Sequence, residues 1–157
     1  MSSNKSQGKP QSLAPMIDIK TSQSFHHESN IIDVNNKQNI IDDSEFAGKH
    51  YIVDFWGTQF LQDINVIENA LTDASNIAGA VLLHIHLHQF SDGGGITGVA
   101  LLAESHISVH TWPERNYAAF DVFMCGDARP DKAVALLEEV FQPDKTEINE
   151  ILRGKSL

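Results

Sequence analysis

Hydrophobic positions follow a regular order along residues 49–157 of the chain. The run KHYIVDFWG (49–57) collects β-branched and aromatic residues before a glycine, which is typical of a strand. Residues 60–78 place apolar side chains at helical spacing, whereas AVLLHIHLHQ (80–89) alternates apolar residues with histidine. The pattern therefore predicts a strand, a helix, and a second strand with one buried face.

The following segments are short apolar runs separated by turn residues. After the turn SDGGG (91–95), the runs ITGVALLAE, HISVHTW and YAAFDVFMC follow closely enough to favour antiparallel pairing. Pro130 opens the amphipathic helix DKAVALLEEVF, and TEINEIL adds a last strand. The predicted order β-α-β-β-β-β-α-β gives an α+β fold, a two-layer sandwich with helices on one face of a mainly antiparallel sheet.

The N-terminal third lacks this regularity. The first 24 residues are rich in Ser, Gln, Asn and Lys with two prolines, a composition that predicts disorder. Residues 25–48 contain small apolar clusters, which leaves open whether they pack on the domain or stay mobile. We therefore predict an extension over 1–48 and a single domain over 49–157.

Composition narrows the classes of function. The 157 residues include 21 Asp and Glu against 11 Lys and Arg, and the net charge of -10 argues against a nucleic-acid partner. No run approaches the roughly 20 apolar residues of a membrane span, and the N-terminus lacks the apolar core of a signal peptide. We therefore predict a cytoplasmic protein without membrane contact. The single cysteine, Cys125, excludes an intramolecular disulfide and a multi-thiolate zinc site.

Residues suited to chemistry are densest in AESHISVHTWPE (103–114) and FDVFMCG (120–126). If HISVHTW is extended, strand alternation puts His106, Ser108 and His110 on one face. Such a polar face requires solvent or a partner when helices cover the other side of the sheet.

ESHISVHTWPE followed by YAAFDVFMCG closely resembles the signature of the bacterial and archaeal S-adenosylmethionine decarboxylases, pyruvoyl-dependent enzymes of spermidine synthesis. The resemblance covers about residues 48–141 and combines a cleavage dipeptide, a processing histidine and a cysteine at the spacing of that family. It implies a proenzyme that cuts its own chain and decarboxylates S-adenosylmethionine.

The resemblance also implies a sequence of steps. The hydroxyl of Ser105 attacks the carbonyl of Glu104, which converts that peptide bond to an ester. His110 then removes the α-proton of the serine, and the resulting dehydroalanine hydrolyses to a pyruvoyl group and ammonia. The products are chains 1–104 and 105–157, and the pyruvoyl carbonyl forms a Schiff base with the substrate amine and acts as an electron sink. No added cofactor is expected.

The family assigns further roles by position. Cys125 is the expected donor of the proton that replaces carbon dioxide. Phe90 matches an aromatic residue that stacks on adenine, and Glu114 matches a carboxylate suited to the ribose hydroxyls, although a core position for Phe90 and a turn cap for Glu114 explain them equally well. Thr97 aligns with a hydroxyl residue, commonly serine, that assists processing. A symmetric homodimer with active sites at its interface is also implied.

Two alternative functions remain open, and a metal site is weighed beside them. The glycine-rich loop SDGGG departs from the family, and some relatives decarboxylate a free amino acid such as ornithine or arginine after the same self-cleavage. An unprocessed relative that acts as a regulatory or structural partner would belong to a different class. The alternating His84, His86 and His88 suit zinc, yet without an acidic ligand set nearby we predict no metal site.

Overall fold

The computed structural model describes residues 46–91 and 93–155. Nearly all of the extension over 1–48, predicted to be disordered or loosely packed, lies outside the described residues, so this stays a prediction. The elements are β1 (Gly48–Trp56), α1 (Ile64–Ile77), β2 (Leu82–Gln89), β3 (Ile96–Leu102), β4 (Ser105–Trp112), β5 (Tyr117–Met124), α2 (Pro130–Phe141) and β6 (Lys145–Arg153).

The strands form one sheet with the order β2-β3-β4-β5-β1-β6, and every neighbouring pair is antiparallel. Both helices lie on one face of this sheet, where α1 and α2 also pack against each other. The predicted α+β two-layer sandwich is therefore confirmed. No helix in the described ranges is long and apolar enough to cross a membrane.

Local chemistry sets the helix ends. The pattern predicted the first helix from residue 60, but it begins at Ile64, because the carboxylate of Asp63 accepts the backbone N–H groups of Asn65 and Val66, each at 3.1 Å. The second helix begins at Pro130, as predicted, since proline needs no N–H partner in a first turn.

The core lies between the helices and the covered face of the sheet. The rings of Phe55 and Phe120 lie 5.3 Å apart, and that of Phe141 on α2 lies 5.2 Å from Phe120. Ile107 and Val109 of β4 are fully buried beside them, and each such side chain contributes about 1.5–3 kcal/mol on burial. This apolar layer fixes which face of every strand remains uncovered.

The uncovered side of the sheet, which we call the open face, carries the even-numbered residues of β4. His106, Ser108 and His110 alternate there with the buried positions, as predicted. We also distinguish two ends of the sheet. The hairpin end holds the β3–β4 turn and the end of β5, and the loop end holds the β2–β3 loop and the turn after β4.

Candidate functional site

A compact group of reactive atoms lies at the hairpin end. Ser105 is the first residue of β4 and is buried, and Cys125 follows the last residue of β5, the neighbouring strand. Ser105 Oγ lies 3.6 Å from Cys125 Sγ and accepts the backbone N–H of Cys125 at 3.3 Å. The thiol also donates to the carbonyl oxygen of Glu104 at 3.3 Å. One thiol therefore contacts both the hydroxyl and the carbonyl that flank the Glu104–Ser105 peptide bond.

The turn that carries this peptide bond is a two-residue hairpin. Leu102 pairs with Ser105 across it, and the backbone N–H of Ala103 donates to the carbonyl of Val81 at 2.9 Å. Glu104 has a φ of 57°, in the left-handed region. The hairpin thus presents the Glu104 carbonyl toward Cys125 from a turn that is tied to the start of β2.

A cavity of about 750 Å³ opens beside Cys125 on the side of β1 and α2. Its charged lining includes Lys49, Arg129 and Glu150, and Arg129 makes a two-pronged ion pair with Asp131 at 2.7 and 3.0 Å. Burial, reinforced by a hydrogen bond with Glu150 and its negative charge, raises the pKa of Tyr51 to about 12. Sequence reasoning missed this cavity, because no local spacing links β1, α2 and β6.

A second group lies at the loop end, on the open face. The register pairs Thr97 of β3 with His110 of β4, and Thr97 Oγ1 lies 2.6 Å from His110 Nδ1. The imidazole is exposed, with its centroid 6.2 Å from that of Trp112. This hydrogen bond fixes the orientation of the ring. The other ring nitrogen stays available to take up or release a proton.

The two residues matched to substrate contacts also lie at the loop end. Phe90, just after β2, is 69% exposed and makes an edge contact with the ring of His88 at 5.1 Å. Glu114 lies in the short 3₁₀ turn Pro113–Arg115 and is exposed. The exposure of Phe90 excludes the alternative of a core position in the single chain.

The two groups do not meet within one chain. Ser105 and His110 are five residues apart on β4, a separation of about 16 Å at the rise of a strand. Because five is odd, the residues also belong to opposite faces. The structure therefore brings Ser105 to Cys125 and Thr97 to His110, and it keeps these pairs at opposite ends of the sheet.

A polar network in the middle of the open face also escaped sequence reasoning. Asp121 of β5 accepts a hydrogen bond from Ser108 at 2.9 Å and lies 3.3 Å from Nε2 of His50. The rings of His50 and His106 lie 6.2 Å apart, and burial, with His50 as a second cause, lowers the pKa of His106. The alternation of β4 predicted that His106 and Ser108 share this face. Their partners, His50 and Asp121, come from other strands, so local spacing did not indicate them.

The alternating histidines of β2 are exposed along one edge of the sheet. Over 46–91 and 93–155, no three His, Cys, Asp or Glu side chains are arranged to hold a metal ion. The described residues therefore do not join His84, His86 and His88 in a three-ligand metal site.

Comparison with known proteins gives one family. The family model described as S-adenosylmethionine decarboxylase matches residues 49–154. The S-adenosylmethionine decarboxylase proenzyme of Methanococcus maripaludis is 47% identical over 110 residues, covering 68% of this chain and 89% of that protein. The proenzyme of Thermomicrobium roseum is 40% identical over 108 residues, covering 68% and 93%.

A solved structure shares the fold. The crystal structure of the adenosylmethionine decarboxylase from Aquifex aeolicus superposes with a TM-score of 0.67 at 31% identity, covering 72% of this chain and 95% of that one. The matched region contains both the Ser105–Cys125 and the Thr97–His110 pairs. The chain belongs to the S-adenosylmethionine decarboxylase family.

Proposed function

We propose that this protein decarboxylates S-adenosylmethionine, the reaction of its family in polyamine biosynthesis, after cutting its own chain between Glu104 and Ser105. The observation that carries the proposal is the Cys125 thiol, which lies 3.6 Å from the Ser105 hydroxyl and 3.3 Å from the Glu104 carbonyl oxygen. A nucleophile, the carbonyl it attacks and a polarising donor are thus held together.

The self-cleavage begins as an acyl shift. A bond forms between Ser105 Oγ and the carbonyl carbon of Glu104, the bond from that carbon to the Ser105 nitrogen breaks, and the hydroxyl proton moves to this nitrogen. The thiol of Cys125 donates to the carbonyl oxygen, where negative charge develops during the attack. Its backbone N–H holds the attacking oxygen in place. The product is an ester that carries a free amine.

Elimination of the ester then needs a base for the α-proton of Ser105. The elimination releases the carboxylate of Glu104 and leaves a dehydroalanine at residue 105. Hydrolysis of this dehydroalanine releases ammonia and leaves a pyruvoyl group at the start of chain 105–157, now separate from chain 1–104. That group supplies an electrophilic carbonyl that accepts the substrate amine and the electrons freed by loss of carbon dioxide. The site suits it, because Ser105 contributes its carbon atoms and the half-buried thiol of Cys125 lies 3.6 Å from the Ser105 hydroxyl.

Cys125 also has a role after cleavage. When carbon dioxide leaves, the substrate carbon needs a proton in place of the carboxylate. The thiol is half-buried and lies 3.6 Å from Ser105 Oγ, within reach of the carbon atoms of residue 105. Cys125 therefore acts as the proton donor of the decarboxylation.

The base comes from a second copy of the chain. His110 is exposed and oriented by Thr97, but it lies about 16 Å along β4 from its own Ser105. A two-fold axis that runs across the strands, parallel to the sheet, brings the hairpin end of each copy against the loop end of the other. The His110 of each copy then removes the α-proton of its partner's Ser105, which is on the backbone Cα and not on the side chain of the covered face. Phe90 and Glu114 bind the substrate at the same end.

The open face is the contact surface of this homodimer. It exposes apolar side chains such as Val99 at 37% and Leu101 at 50%, interspersed with the network around Asp121. Helices already cover the other face of the sheet. A second copy would bury these side chains and complete two identical sites. We further infer a cytoplasmic location, since a proton-donating free thiol suits a reducing compartment.

Complementation between inactive variants tests the shared site. Ser105→Ala and His110→Ala are each expected to remain one chain when expressed alone. Expressed together, the His110→Ala chain keeps its Ser105 and receives a histidine from the other copy, so denaturing mass spectrometry is expected to find it cut before residue 105. If neither chain is cut in the mixture, the shared site is wrong.

The substrate is tested with fully processed protein. We expect carbon dioxide release from labelled S-adenosylmethionine to exceed release from ornithine or arginine by at least about a hundredfold, because contacts with adenine and ribose exist for the first alone. Preference for either amino acid would replace the proposed substrate and keep the self-cleavage. A wild-type chain that stays intact on long incubation would overturn the proposal as a whole.

A further inference from the structure

The residue before the proposed cleavage point has an unusual backbone conformation. Glu104 has a φ of 57°, while Ala103, its partner in the two-residue turn, does not share the positive φ. This sign pattern is that of a type II turn, whose second central residue is normally glycine or asparagine. Two-residue hairpins also favour the mirror-image turns, whose twist matches that of the strands. A glutamate here is strained, since its Cβ crowds the following carbonyl oxygen.

Contacts on both sides hold the turn in this conformation. The strand pairing of Leu102 with Ser105 closes the hairpin, and Ala103 donates to the carbonyl of Val81 at 2.9 Å. Cys125 contacts the Glu104 carbonyl through its thiol and Ser105 through its backbone N–H. A strained residue persists when its surroundings over-determine it, and such residues cluster at functional sites.

We propose that the left-handed backbone of Glu104 stores strain that self-cleavage releases, so that Glu104 is a positioning residue of the processing reaction. The inference rests on the proposed function. It assigns to the turn a contribution to the rate of cleavage, in addition to the roles of the side chains around it.

The acyl shift relieves the strain through its connectivity. Before the shift, one atom, the Ser105 nitrogen, joins the Glu104 carbonyl carbon to the Ser105 Cα. After the shift, two atoms, Oγ and Cβ, join them, so the closed turn is one atom longer. The longer link frees Glu104 to return to negative φ while Leu102 and Ser105 stay paired. The strain is present in the starting chain and declines toward the ester, which lowers the barrier to processing.

The test compares three substitutions at one position in the full-length chain. Glycine removes the penalty of positive φ, asparagine reduces it and alanine keeps it, while all three remove the glutamate side chain. In cell-free synthesis followed by a chase on denaturing gels, Glu104→Gly is expected to process about tenfold more slowly than Glu104→Ala, with Glu104→Asn between them. Processing of Glu104→Gly as fast as Glu104→Ala would overturn the inference.

Slower processing of the glycine variant has another explanation, a looser turn, and a stability measurement separates the two. In the Ser105→Ala chain, which cannot cleave, adding Glu104→Gly is expected to raise the melting temperature by about 3 °C relative to adding Glu104→Ala. If the Glu104→Gly chain melts at the same or a lower temperature than the Glu104→Ala chain, the slower processing comes from a more flexible turn. That result would refute stored strain.

A matched control applies the same change far from the site. Gln142, just after α2, has a φ of 45°, so Gln142→Gly relieves a similar conformation without touching the hairpin. It is expected to raise the melting temperature and to leave processing at the wild-type rate. If Gln142→Gly slowed cleavage as much as Glu104→Gly, the link to the scissile bond would be refuted. A wild-type chain that never cleaves would instead overturn the proposed function, and this inference with it.

Discussion

The two ends of one sheet carry reactive side chains in opposite states. At the hairpin end, Ser105 is buried and fixed by the backbone and thiol of Cys125. At the loop end, His110 is exposed, and its orientation depends on one side chain, Thr97, at 2.6 Å. The first end holds a hydroxyl and a thiol beside one backbone carbonyl, while the second presents an imidazole toward solvent. In the proposed homodimer, each end of the sheet would therefore supply half of the reactive groups of one site.

The largest expected effect comes from removing the donor at the hairpin end. Cys125→Ala is expected to lower decarboxylation per processed site by a factor of about 10² to 10⁴, because the substrate carbon loses its proton donor. Processing is expected to continue at least in part, since Ser105 and the Glu104 carbonyl remain. Release of carbon dioxide, normalised to the fraction of cleaved chain, measures this.

The control for this variant is Glu139→Gln, an exposed change on α2 away from the open face that should leave both readings unchanged. Full turnover by the processed Cys125→Ala protein would show that the proton comes from elsewhere. It would also remove the proposed second role of the hairpin end.

A smaller effect is expected from loosening the loop end. Thr97→Val keeps the branched shape but removes the hydroxyl that orients His110, so processing is expected to slow about tenfold. Thr97→Ser restores the hydroxyl and is expected to restore the rate. A pulse-labelled chase followed on denaturing gels gives both rates, and cleavage of Thr97→Val at the wild-type rate would exclude the hydrogen bond from processing.

At the loop end, a substitution that affects substrate binding is expected to leave self-cleavage unaffected. Glu114 lies in the turn after β4 and is exposed, whereas the Thr97–His110 pair belongs to the strands. Glu114→Gln is therefore expected to raise the KM for S-adenosylmethionine about five- to tenfold with little change in kcat or in processing. A fall in kcat with an unchanged KM would assign Glu114 to the chemical step instead.

The element order and the alternation of β4 could be predicted because they depend on local spacing. A period of two assigned His106, Ser108 and His110 to one face before any partner strand was known. The start of the first helix was predicted too early, since apolar spacing continues through the turn that Asp63 ends by capping. Local patterns therefore gave the architecture and erred at a boundary.

The arrangement of the site was harder to predict. The family resemblance implies that Ser105 and His110 act in one reaction, but their odd offset of five residues on a strand separates them by face as well as by distance. The cavity beside Cys125 depends on pairings between strands far apart in sequence. The positive φ of Glu104 has no sequence signal at all, because glutamate is not a residue that favours it.

The smallest expected effect concerns the middle of the open face, between the two ends. Burial and the neighbouring His50 lower the pKa of His106, so the folded chain takes up this proton less readily than the unfolded chain, whose histidine titrates near the usual value of about 6.5. The unfolded state therefore binds more protons as the pH falls below that value, and folding loses stability there. The opposing attraction of Asp121, which raises this pKa, and the partial exposure of the ring keep the effect small.

In the uncleavable Ser105→Ala chain, we expect His106→Gln to reduce the loss of melting temperature between pH 7.5 and pH 5 by about 1–3 °C. Lys132→Gln, an exposed change on α2 away from the open face, is the control and is expected to leave that loss unchanged. An equal acid sensitivity with and without His106 would show that protons bind elsewhere on the face. The proposed dimer would bury the open face further. The effect of His106→Gln on the acid-induced loss of melting temperature is therefore expected to be larger at protein concentrations where two copies associate.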